Sequence, residues 1–159
     1  MRRAPFLAGV AALTFLASTA AYAATPYGAR VAGSRTVELG KGRGFAVLGS
    51  RGAALGNLSG RIEVIDVPGG GSPQGYVRGC ERRTGKFSGR LTCRGAGLRF
   101  LVYGGTWRIR LSGNRINVSG RIRGRLGLDR ADRGTGWFEI GSSERHRWPA
   151  TLTFYVVRS

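Results

Sequence analysis

Apolar and polar residues alternate with a period of two along most of this chain. Trp107, Ile109 and Leu111 alternate with arginine, and Ile62 alternates with Val64 across Glu63. Phe45 with Val47, and Leu152 with Phe154 and Val156, follow the same rule. The longest run is Val118 to Asp129, VSGRIRGRLGLD. It sets Val118, Gly120, Ile122, Gly124, Leu126 and Leu128 on one face, and Ser119, Arg121, Arg123 and Arg125 on the other. Side chains on a strand point alternately to its two faces, so this pattern predicts half-buried strands. Beyond the N-terminal leader no segment keeps the i, i+3, i+4 apolar spacing of an amphipathic helix.

The interruptions are turn-like: VPGGGSPQG at 67–75, GG at 104–105, SGN at 112–114 and LDRADRG at 128–134. Gly-Lys-Gly-Arg-Gly at 40–44 lacks the strand–loop–helix setting of a phosphate loop and reads as another turn. The expected fold is all-β, with about eight to ten short strands in a single-domain antiparallel sandwich or barrel. The motif Ser-Gly-Arg recurs at 59–61, 88–90 and 119–121, each copy flanked by apolar residues. That recurrence admits an alternative, a β-solenoid with a repeat of about 30 residues. In each copy the glycine falls on the inward face, where a bulge, a bend or a covering ring would require it.

The N-terminus changes the picture. Arg2 and Arg3 precede an apolar stretch from Phe6 to Ala20, and Ala21-Tyr22-Ala23 has the A-x-A form of a signal-peptide cleavage site. Residues 1–23 are therefore expected to be a leader, 24–35 a mobile segment, and 36–159 one β domain, exported and without a membrane span. Cys80 and Cys93 are the only cysteines, and in an oxidising compartment they read as a disulfide.

The formal charge is +18, from 24 arginines and two lysines against eight acids. A GC-rich coding bias would raise arginine, glycine and alanine together, but it does not account for the scarcity of acids. Arginine grips phosphate and carboxylate with a planar fork, which lysine cannot do. If 107–111 and 118–128 are neighbours in one sheet, Arg108, Arg110, Arg121, Arg123 and Arg125 share its outer face and form a candidate anion-binding surface.

The segments GRGFAVLGSRGAALGNLSGRIEVIDV and GLRFLVYGGTWRIRLSGNRINVSG, with the tryptophan of RHRWP, resemble a group of exported, glycine-rich proteins from actinobacteria. The resemblance covers Gly42 to about Phe154 and implies export and β structure, but no activity and no site. Glycine stands in that group where this chain has Arg115, and small residues replace several of the arginines at 121–125.

Catalytic readings are weak. Glu63 and Asp66, three apart on a strand, face opposite ways, and Asp129 with Asp132 falls in an arginine-rich turn. His146 has only local neighbours in SSERHRWP, which do not make a triad. A metal site would lack histidines, and no cofactor motif is present. Asn57-Leu58-Ser59 and Asn117-Val118-Ser119 fit the N-glycosylation pattern by coincidence in a bacterial-type exported chain. Trp137, Phe138 and Trp148 read as core or edge packing. The expected function is non-catalytic: association with cell-wall polymer, acidic polysaccharide or extracellular DNA. The alternative is a structural or protein-interaction module of the envelope with no polyanion ligand.

Overall fold

The computed structural model describes residues 32–80 and 85–158. The expected leader and most of the expected N-terminal segment lie outside the described residues. Eight strands are present among the described residues, and no helix: β1 (Arg35–Asp66), β2 (Gln74–Arg78), β3 (Gly85–Lys86), β4 (Arg90–Tyr103), β5 (Trp107–Arg130), β6 (Trp137–Ile140), β7 (His146–Arg147) and β8 (Thr153–Val157). They form a single antiparallel sheet in the order β3-β2-β4-β1-β5-β8, with β6 on β1 and β7 on β6. The sheet is not closed. Every pairing among the described residues is antiparallel, so they do not form a stack of parallel solenoid coils.

The alternating pattern forms strands as expected, but two of them are far longer than expected. β1 has 32 residues and β5 has 24. Their pairing is double. Arg35 to Ser50 runs antiparallel to Ile122 to Trp107, and Gly44 to Asp66 runs antiparallel to Arg130 to Trp107. The stretch from Gly44 to Ser50 therefore has β5 on both of its edges. A straight strand cannot lie along both edges of its partner, so both strands must bend and the sheet must coil around its core.

The bend is made by glycine. Gly113 faces Gly44 on one side and Gly60 on the other, and Gly60 also faces Gly95. This row of glycines crosses four neighbouring strand segments. Gly44, Gly113 and Gly60 have φ of 137°, 143° and 149°, which only a residue without a Cβ adopts freely. A Cβ on Gly113 would stand 2.2 Å from the Ser59 carbonyl oxygen. Residues 112–114 are therefore not the expected turn but a bulged corner inside β5, where burial moves from odd to even positions: Leu111, then Ile116 and Val118. Residues 40–44 likewise lie within β1 rather than in a turn, with Lys41 at φ 52° and a register shift between Leu39 and Gly42.

The Ser-Gly-Arg copies are not equivalent units. Gly60 lies on the glycine row and Gly120 passes close to the Ala53 carbonyl oxygen, whereas Gly89 has open space around it. Rings do cover glycines in this fold, but elsewhere: Trp137 over Gly40, Trp148 over Gly42, and Phe154 over Gly127.

The concave side holds one core that includes Leu48, Leu58, Ile62, Leu98, Phe100, Trp107, Ile109, Ile122, Leu126 and Trp148. Phe138 and Trp148 are buried, and the Trp148 indole donates to the Trp137 carbonyl oxygen at 3.0 Å. Trp137 is half-buried between Gly40 and the Arg145 guanidinium, which stacks 3.7 Å above its ring. A disulfide joins Cys80 to Cys93, a bond that belongs to an oxidising, extracytoplasmic setting. No helix among the described residues is long and apolar enough to cross a membrane.

Candidate anion-binding face

Burial along β5 follows the alternation of the sequence. Ile122, Leu126 and Leu128 are buried, while Arg121, Arg123 and Arg125 are exposed. In the first half of the strand Trp107, Ile109 and Leu111 are buried, Arg108 is exposed, and Arg110 is half-buried. All five arginines singled out from the sequence thus stand on the convex side. The arrangement that puts them there differs from the expected one in one respect. Residues 107–111 and 118–128 are not adjacent strands but two parts of β5, and the segment Gly44–Ser50 of β1 lies between 107–113 and 124–130.

That insertion divides the arginines into two groups. Arg108 and Arg125 are both register partners of Gly49, and Arg110 is opposite Val47. Arg121 and Arg123 lie further along, where the Arg121 guanidinium donates to Ser34 Oγ at 3.1 Å and Arg123 donates to the Ala32 carbonyl oxygen at 3.3 Å. Arg123 is directly opposite Arg51, which in turn donates to Thr106 Oγ1 at 3.3 Å.

The basic surface also extends beyond β5. Arg61 is opposite Arg94, and Arg78 is opposite Arg99, all four exposed. With Arg51 and Arg123 this makes three directly opposed arginine pairs on one sheet. Opposed like charges are destabilising, by up to about 1 kcal/mol per pair. Partial relief is visible at two of them: Arg61 donates to Glu63, and Arg78 lies 4.7 Å from the centre of the Tyr76 ring. Glu63 is 8% exposed and also lies 3.8 Å from Arg110. The only other ion pair among the described residues is Arg145 with Glu139. Arg108, Arg121, Arg123 and Arg125 accordingly have no carboxylate within ion-pair distance there.

The apolar side chains of this region also depart from a simple two-faced strand. Ala46 and Leu48 fill the core, so Phe45 and Val47 point outward and are half-buried. Phe154 and Val156 on the edge strand β8 are 54% and 61% exposed, and Leu152 before it is 46% exposed. Phe45, Val47, Leu152 and Phe154, with Arg108, Arg110 and Arg125, line an open groove of about 570 Å³. The sequence contained the signal for this groove, since 45–48 is apolar at every position, but which pair faces inward is decided by the register with β5.

Glu63, Asp66 and His146, weighed from the sequence as candidates for joint chemistry, are not brought together. Glu63 is on the arginine face, whereas Asp66, opposite the buried Trp107, accepts from Ser72 Oγ at 3.0 Å. His146 lies on β7 rather than in a loop, with its ring 5.4 Å from Phe138. Around it are Arg35, Phe138, Ile140, Ser143, Arg147 and Tyr155, none of them a carboxylate. No cluster of three or more His, Cys, Asp or Glu suited to a metal ion occurs among the described residues. Asn57 and Asn117, the two asparagines of the glycosylation-like motifs, face one another and are joined by a hydrogen bond of 3.0 Å. No family model matches this chain, and neither a curated protein nor a solved structure matches it.

Proposed function

We propose that this protein is an exported, non-catalytic binder of anionic polymers, which it holds by the arginine-rich convex face of its sheet. The observation that carries the reading is the set of three opposed arginine pairs, Arg51 with Arg123, Arg61 with Arg94, and Arg78 with Arg99. Such an arrangement is costly alone and becomes favourable when a chain of phosphates or carboxylates neutralises both members of a pair. The net charge, +18 for the full sequence and about +16 once the expected leader takes Arg2 and Arg3 with it, extends the attraction over a Debye length. Arginines lie on successive strands from β2 through β4 and β1 to β5, so the surface suits an extended polymer better than a compact ion. The leader-like N-terminus and the disulfide support a secreted or envelope location, where cell-wall polymers, acidic polysaccharides and extracellular DNA are found.

Affinity of this origin comes from charge neutralisation and counterion release, so it must fall with salt. Retention of the purified protein on immobilised polyphosphate is expected to decrease steeply between low and moderate salt. The triple variant Arg121→Ser, Arg123→Ser, Arg125→Ser is expected to elute at clearly lower salt than the parent. Retention that ignores both changes would overturn the reading in favour of an envelope module that recognises a protein partner.

A further inference from the structure

At one place on the convex face the basic and apolar side chains converge. Gly49 has Arg108 as its partner on one side and Arg125 on the other. These arginines therefore stand across a residue with no side chain, two strand spacings or about 9.5 Å apart at their Cα atoms. Neither has a carboxylate partner among the described residues. Two residues along β1, Val47 lies between Arg110 and Gly127. Phe154 packs down over Gly127, where a Cβ would stand 2.6 Å from the ring. The result is a groove with an apolar floor and cationic walls, of a volume usual for sites that take one small molecule.

Neither half of this groove is satisfied by a simple ligand. A bare anion leaves the apolar floor in water, and a neutral hydrocarbon leaves the guanidinium groups unpaired. We infer that the groove binds a single-chain amphiphile, its oxyanion head held between Arg108 and Arg125 and its hydrocarbon chain lying along Val47, Phe45 and Phe154. This inference rests on the reading of the convex face as anion-binding, and adds to it a ligand class and a bounded site. The bounded volume of about 570 Å³ favours a single molecule lying in the groove over a bilayer surface.

Calorimetric titration of the purified protein, below micellar concentrations, separates the contributions. The probes are dodecyl phosphate, inorganic phosphate (head without tail) and dodecyl maltoside (the same tail with a neutral head). Dodecyl phosphate is expected to bind at least about tenfold more tightly than either control, because burial of the chain and pairing of the head add. Arg125→Ser is expected to weaken dodecyl phosphate. Phe154→Ser, at an exposed position, is expected to weaken it about tenfold while leaving retention on polyphosphate unchanged. Arg121→Ser with Arg123→Ser is expected to do the reverse. Equal affinity for the three probes, or indifference to Phe154→Ser while polyphosphate retention stays salt-sensitive, overturns the groove and leaves the polymer reading standing. Binding only to anionic vesicles, or a dimer that Phe154→Ser dissolves, overturns it as well. Salt-insensitive retention with intact dodecyl phosphate selectivity overturns the polymer reading alone.

Discussion

Gly113 shows how a single missing Cβ decides the path of the sheet. Its φ of 143° and its approach to the Ser59 carbonyl oxygen allow β5 to turn a corner between two partners, Gly44 and Gly60. Gly97 has a left-handed φ of 66° but open space around it. The two positions separate backbone strain from collision. Gly97→Ala is expected to cost about 1 kcal/mol, the usual penalty for an L-residue in that region. Gly113→Ala is expected to cost about 3 kcal/mol or more, since backbone must move as well. Urea unfolding of the two variants checks the order, and equal costs would show that Gly113 does not form a tight corner. From the sequence, glycine at 112–114 announced a break in the strand. A turn and a bulged corner both use glycine, and only the partners on either side distinguish them.

At the scale of the element, β5 matches its expected parity from Val118 to Leu126 because every second residue there is arginine or serine, which cannot enter a core unpaired. Phe45 to Leu48 offered no such contrast, as all of its residues are apolar. The strand could face either way, and its register with β5 selected Ala46 and Leu48 for the core. Cross-strand partners were equally out of reach of the sequence, because Arg51 and Arg123 are 72 positions apart and meet only through the double pairing of β1 with β5. Their opposition makes a direct prediction. Arg123→Glu replaces a repulsion with an attraction and is expected to raise stability by about 0.5 kcal/mol. It should also lower the salt needed to elute the protein from polyphosphate. Thermal unfolding and salt elution measure the two effects separately, and a loss of stability would show that Arg51 and Arg123 do not repel one another.

For the whole molecule, opposed arginines on an open sheet mean that stability depends on the ions around it. Added salt is expected to raise Tm, because the Debye length shortens to about 10 Å at 0.1 M and screens the repulsion. Polyphosphate is expected to raise Tm further at low ionic strength, since a ligand that binds only the folded state stabilises it by mass action. A scanning calorimetry series that shows neither effect would mean that the convex face is already fully solvated and bears no strain. The sequence by itself determined the all-β class, the Cys80–Cys93 pairing and the outward side of β5, because the two-residue period, the lone pair of cysteines and the cost of burying arginine are local properties. Tertiary structure alone decided that β1 and β5 are two long, bent strands, that β5 lies on both edges of β1, and that Gly49 stands between Arg108 and Arg125. Those relations depend on long-range register, which is set by how the whole sheet coils around one core and not by any short stretch of the chain.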